Sequence, residues 1–181
     1  VAELVAWART RLAQPRIAAL WLVVLAAVLA AAPRGAPGST LLLSAALIAQ
    51  FRLWDDLEDL PHDRVHAPDR VLVASRELLA FRVALAASIG LVGVGFATVD
   101  GWARAGAFAA LVLAMAVLYR TMDSTTSRRW LRAQLVLLKY PAFVLLLAEE
   151  PASPRAIAAA LVLCGVLGFH EWRGERRCST R

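Results

Sequence analysis

The sequence predicts an all-α fold, a polytopic membrane bundle of about six transmembrane helices, and three observations predict it. Of 181 residues, 60% are hydrophobic and 19% charged, with a mean hydropathy of +0.60, well above the soluble norm. The charges come in clumps separated by apolar runs that approach the ~17–25 residues a tilted helix needs to cross a ~30 Å hydrocarbon core. No stretch alternates apolar and polar residues over about ten positions, as the strands of a membrane barrel do. Helices therefore satisfy the backbone in lipid. This composition excludes a soluble enzyme and a disordered tail. Cys164 in an apolar run and Cys178 in a basic one do not make a disulfide framework.

Taken as one integral membrane domain over 1–181, the chain offers spans near 17–32, 39–54, 78–98, 105–119, 133–148 and 155–170. The first, IAALWLVVLAAVLAAA, is the clearest. A cleaved signal peptide is not expected there, because the apolar core is long and five further spans follow. The second is interrupted near its end by Gln50 and Arg52. PRGAPG at 33–38, DGWARAG at 100–106 and EEPASP at 149–154 read as tight connectors between antiparallel helices. The segments after the second and fourth spans read as longer loops.

The net charge is +6 and the pI about 10.6, which in a soluble protein would suggest nucleic acid. Here the arginines flank apolar spans, and no nucleic acid is expected. Sixteen lie on one set of ends: Arg9, Arg11 and Arg16; Arg52, Arg64, Arg70, Arg76 and Arg82; Arg120, Arg128, Arg129 and Arg132; Arg173, Arg176, Arg177 and Arg181. The other ends carry Arg34, Arg104 and Arg155. The positive-inside rule then places both termini and the two longer loops in the cytoplasm, with the protein in the inner (plasma) membrane.

The first long loop is acidic. Residues 55–63 read DDLEDLPHD, with Asp55, Asp59 and Asp63 at i, i+4 and i+8. On a helix these three share one face. Stacked like charges repel, and a divalent cation would relieve them. A set of carboxylates without cysteine points to a hard, oxygen-preferring ion such as Mg²⁺. A solvated acidic loop balanced by nearby arginines explains the same residues. Pro61 would interrupt the helix between Asp59 and Asp63. His62 and His66 flank the run without the further ligands that zinc needs and read as loop residues. Lys139, several residues inside an apolar run, either faces a polar cavity or partner, or snorkels to the surface.

After Asp63 the chain continues DRVHAPDRVLVAS, and here it resembles the UbiA superfamily of intramembrane prenyltransferases. The family's first signature is N/D-D-x-x-D-x-x-x-D followed by a stretch close to R-P-x-R-P-L. Asp55, Asp56, Asp59 and Asp63 take the acidic positions, and Arg70 and Leu72 match the later part. Val71 stands where the family has Pro, and Ser75 where Gly is common. Tyr119, then Arg128 and Arg129, then Lys139-Tyr140 follow the family's order of a tyrosine, a basic loop and a lysine entering the fifth helix. Glu171 and Glu175 keep the spacing of its second acidic motif, D-x-x-x-D. The family forms a nine-helix ring, of which six helices fit here.

What the resemblance implies is Mg²⁺-dependent transfer of an isoprenyl group from its diphosphate to an aromatic or other lipophilic acceptor. Metal ligands would be Asp55, Asp56, Asp59 and Asp63, with Glu171 and Glu175. Arg64, Arg70 and Lys139 would contact the diphosphate, and Asp59, Asp63 and Tyr119 would be the catalytic side chains. An oligomer is compatible with this reading. The alternative is a non-catalytic truncated relative or membrane subunit that binds a lipid or protein partner. CDP-alcohol phosphatidyltransferases are set aside because D-x-x-D-G-x-x-A-R is lacking. A transporter is weaker still, with Lys139 the one basic residue well inside a span.

Overall fold

The structure, a computed structural model, describes residues 2–31, 38–122 and 129–179, the side chains at 129, 130, 132 and 174–179 excepted. Among the described residues there is helix and no strand. The helices are α1 (Ala2–Arg11), α2 (Pro15–Ala31), α3 (Gly38–Glu58), α4 (Leu60–His66), α5 (Val71–Ala74), α6 (Leu78–Val99), α7 (Trp102–Thr121), α8 (Arg129–Leu137), α9 (Lys139–Leu147) and α10 (Pro154–Ser179).

Among the described residues three helices are long and apolar enough to cross a membrane: α6, α7 and the Pro154–Arg173 part of α10. A fourth span exists if α1 and α2, bent by 72° at their junction, count together. The remaining expected spans take other forms. The segment around 39–54 becomes α3, 21 residues long, but Gln50, Arg52, Asp55, Asp56 and Glu58 make it too polar for that class. The segment 133–148 is divided between α8 and α9. Pro141 causes this break: it has no N–H to give Leu137, and its ring crowds that carbonyl. At the third position of α9 the missing donor is one the helix end leaves unpaired anyway.

Pro15 acts the same way at the first position of α2, where a proline is tolerated but a continuous helix from α1 is not. Ser153 caps α10, its hydroxyl accepting from the Ala156 N–H at 3.2 Å, just ahead of Pro154 at the first helical position. Gly101, at φ +88°, turns α6 into α7 in a left-handed conformation that glycine adopts without strain. The turn is thus shorter than DGWARAG suggests, since Trp102–Gly106 already belong to α7. The longer loop after α3 is likewise mostly helical, as α4 and α5. Of PRGAPG, residues 33–37 lie outside the described residues.

The main core packs α2, α3, α6, α7, α9 and α10 around Val24, Leu47, Phe51, Phe96, Phe108 and Phe143. A second cluster, Trp7, Leu53, Leu60, Leu72 and Phe81, seats α1, α4 and α5 against α3 and α6. Outward, α6, α7 and α10 show Leu79, Leu91, Val94, Leu113, Leu161 and Val162, all more than half exposed. Apolar residues all round a helix belong in hydrocarbon rather than water.

At one end of the bundle Arg104, in the first turn of α7, reaches across to the C-terminus of α9. Its guanidinium donates to the carbonyls of Leu146 and Ala148 and, at 2.9 Å, of Glu149. Leu146 lies in the last turn of α9, where a helix leaves carbonyls unpaired, and Ala148 caps it; a cation there also suits the helix dipole. Replacing Arg104 with Ala is expected to destabilise the bundle by about 2 kcal/mol, with Lys recovering only part because it lacks the planar fork. Thermal unfolding of the two variants in detergent checks this, and an unchanged midpoint for Arg104→Ala would refute it.

Candidate functional site

The opposite end of the bundle gathers the charges. Asp55, near the end of α3, accepts from the Lys139 ammonium at 2.6 Å on Oδ1 and more closely on Oδ2, and from the Tyr119 hydroxyl. The three come from α3, α9 and α7. Lys139 is 1% exposed and lies 5.9 Å from the Phe51 ring centre and 5.3 Å from that of Tyr140. A buried ammonium needs a paired anion, and aromatic faces add to its stabilisation. The expectation of a polar partner for Lys139 is met, and snorkelling to the surface is not what it does.

Asp56 points elsewhere, because successive helical residues are turned by about 100°. It accepts from Trp7 Nε1 at 2.9 Å, from Arg11 Nε at 2.8 Å and Nη2 at 2.5 Å, and from Arg52 Nη2 at 2.8 Å. Trp7 and Arg11, one turn apart on α1, thus hold the carboxylate in a bidentate, charge-assisted grip.

Pro61 does divide the acidic run: α3 stops at Glu58, Asp59 is the exposed cap residue of α4, and α4 resumes at Leu60. Yet the Asp59 N–H bonds Asp55 O and the Asp63 N–H bonds Asp59 O, both at 2.9 Å, so the helical path is nearly kept. Asp63 pairs with Arg70. Asp55 and Asp63 do not turn to a common partner: Asp55 takes Lys139 and Asp63 takes Arg70. Instead Asp56 and Asp63, two turns apart, look with Asp69 into a chamber of about 220 Å³ that Arg11, Arg70 and Gln14 also line.

The other expected site residues are placed as follows. Arg64 is exposed on α4 and outside the chamber wall. His62 and His66 are helical rather than in a loop, exposed, with rings stacked 4.0 Å apart. Glu171 is half-buried on α10 and belongs to neither charged group among the described residues. The side chains of Arg129 and Glu175, and all of Arg128, lie outside the described residues. Arg11 and Trp7 of α1, Arg52 and Asp69 are participants that the motif did not mark. The one available signal was the i, i+4 spacing of an aromatic and a cation on a short helix.

For Mg²⁺, the carboxylate donors are right in kind. Among the described residues no three acidic, histidine or cysteine side chains converge as a metal cage. What the chamber does offer is Asp56, Asp63 and Asp69 in its lining together with Arg11 and Arg70. Comparison with protein-family models, with curated proteins and with solved structures finds no match to this chain.

Removing Lys139 alone would strand Asp55. We expect Lys139→Met to cost about 3–5 kcal/mol. The triple change Asp55→Leu, Tyr119→Phe, Lys139→Met, which removes every polar partner together, should regain most of that loss. Unfolding in detergent read by circular dichroism measures both. A triple variant as unstable as the single one would show that the three do not act as a unit.

Proposed function

We propose that this chain is a six-span membrane protein of the prenyltransferase type, which takes the diphosphate of an isoprenyl diphosphate at the Asp55 end of its bundle and passes the isoprenyl group to a lipophilic acceptor. The observation that carries this reading is convergence. Asp55, Tyr119 and Lys139, drawn from two separate parts of the resemblance and from three helices, meet in one hydrogen-bonded group, beside a chamber with two arginines.

In this reading Arg70 is the diphosphate's first contact. Its side chain is 39% exposed, and its partner Asp63 is buried, so an incoming phosphoryl oxygen competes for a guanidinium that water already reaches. Arg11, gripped by Asp56, supplies a fixed positive wall. The chamber's arginines and carboxylates nearly balance in charge, so a bare diphosphate gains little there. Asp63 and Asp69 would hold a Mg²⁺ that arrives with the diphosphate, and the ion would offset the leaving group's charge. Tyr119, fixed by Asp55, shapes the inner side of the site. The six spans of this reading are α2, α3, α6, α7, the α8–α9 pair and α10, with the arginine-rich Asp55 end in the cytoplasm.

A second reading rests on the pairing itself. Asp55, Asp56 and Asp63 each meet a cation from another element, so the acidic run serves to fasten α9 and α1 to α3 and the start of α5 to α4. A non-catalytic membrane subunit needs nothing more from it.

Titrating a non-hydrolysable farnesyl diphosphate analogue into the purified chain in detergent separates the two. The first reading expects saturable binding that EDTA removes, weakened about tenfold by Arg70→Gln, and no Mg²⁺ uptake without the analogue. Absence of binding by a folded sample supports the fastening role. For orientation, Val65→Cys in a cysteine-free background should react with an impermeant maleimide in inverted vesicles, and Trp102→Cys in whole cells. The opposite pattern would reverse the topology.

A further inference from the structure

At the Arg104 end of the bundle, two concavities on the outer side of α2 and α10 share Arg155. The longer is an open groove of about 460 Å³, with Val23, Ala26 and Ala30 along α2 and Ala158, Val162 and Val166 along α10. All six are exposed, and among the described residues Arg155 is the groove's one charged side chain. The second, of about 330 Å³, continues past Ala31 and is lined among the described residues by Glu150, Ser153, Pro154 and Arg155. Both volumes fall in the ~300–1,000 Å³ range of ligand sites. Glu150 and Arg155 are exposed, and among the described residues neither side chain enters an ion pair or hydrogen bond, with the other or elsewhere. An apolar groove thus opens at one end onto a cation and an anion, both available to a ligand.

Its length says what lies along it. From Arg155 to Val166 the groove follows α10 for about 16 Å of helix rise. That is half of the ~30 Å hydrocarbon core, the depth of one leaflet. A transmembrane helix of a second copy needs a seam along the whole core, whereas an acyl chain needs one leaflet. Arg155 stands in the first turn of α10, the membrane-crossing helix, and so at the level of the headgroups. The head that fits carries both signs of charge. A phosphate suits the Arg155 guanidinium and the Ser153 hydroxyl, which accepts from the Ala156 N–H at 3.2 Å and keeps its own proton to donate. Glu150 calls for a cation. A primary ammonium offers it three N–H donors, the quaternary ammonium of choline offers none, and a glycerol head brings no cation. We propose that this groove holds one phosphatidylethanolamine molecule, its phosphate on Arg155, its ammonium on Glu150 and an acyl chain between α2 and α10. The site is independent of diphosphate binding in the chamber.

The test places the full chain in nanodiscs of equal parts phosphatidylethanolamine, phosphatidylcholine and phosphatidylglycerol with identical acyl chains. Native mass spectrometry then reads the lipid that stays with the released protein. Phosphatidylethanolamine should be retained at one per chain, with about tenfold preference over each of the other two. Arg155→Gln should cut that retention about tenfold. Glu150→Gln should bring phosphatidylethanolamine down to the level of phosphatidylcholine. Ala26→Phe, midway along the groove, should abolish retention with both charges in place. All three positions are exposed, so the thermal midpoints should not move. Equal retention of the three lipids would overturn the proposal. So would an ethanolamine preference that survives Glu150→Gln, or a dimer that Ala26→Phe dissociates, which would make the groove a seam between copies.

Discussion

A lysine ammonium buried to 1% exposure in a helical bundle has to be met by an anion, and the position of that anion constrains much of this molecule. Asp55 meets Lys139 and also takes the Tyr119 hydroxyl, so a single carboxylate sets α3, α7 and α9 relative to one another. The other end of α9 is held by Arg104 of α7 through backbone carbonyls. A nine-residue helix is too short to be stable by itself. It persists here because both ends are tied by charge and its middle packs Phe143 and Val144 into the core.

Adjacent carboxylates then do separate work. Asp55 turns into the main core, while Asp56 turns toward α1 and is enclosed by Trp7, Arg11 and Arg52. The acidic run is thus the seam between the main core and the smaller cluster around Leu53, Leu60 and Phe81. The polar chamber sits at that seam, lined by Asp56, Asp63, Arg11 and Arg70.

Much of this was legible residue by residue. Lys139 is anomalous in its apolar run, and a polar partner follows from the cost of burying charge. Pro61 and Pro141 mark breaks by their chemistry, though only Pro61 was read that way. The arginines of α1 were the least legible. Arg11 looks like any membrane-flanking cation, and nothing local announces that its partner is 45 residues away. The i, i+4, i+8 pattern of Asp55, Asp59 and Asp63 was visible, but not the cations, Lys139 and Arg70, that Asp55 and Asp63 take. The i, i+7 pair of Asp56 and Asp63 was the one that came to share a space.

The sequence by itself determined the helical class, the clustering of charge between apolar runs and the positions of the long apolar helices. Those depend on hydropathy, proline and glycine, which act within a few residues of where they stand. Tertiary structure alone decided which carboxylate meets which cation, that α1 closes the charged end, and that Gln50 is buried with no hydrogen-bond partner among the described residues. These outcomes depend on residues dozens of positions apart, and a buried charge takes whichever counterion the packing of whole helices brings within reach.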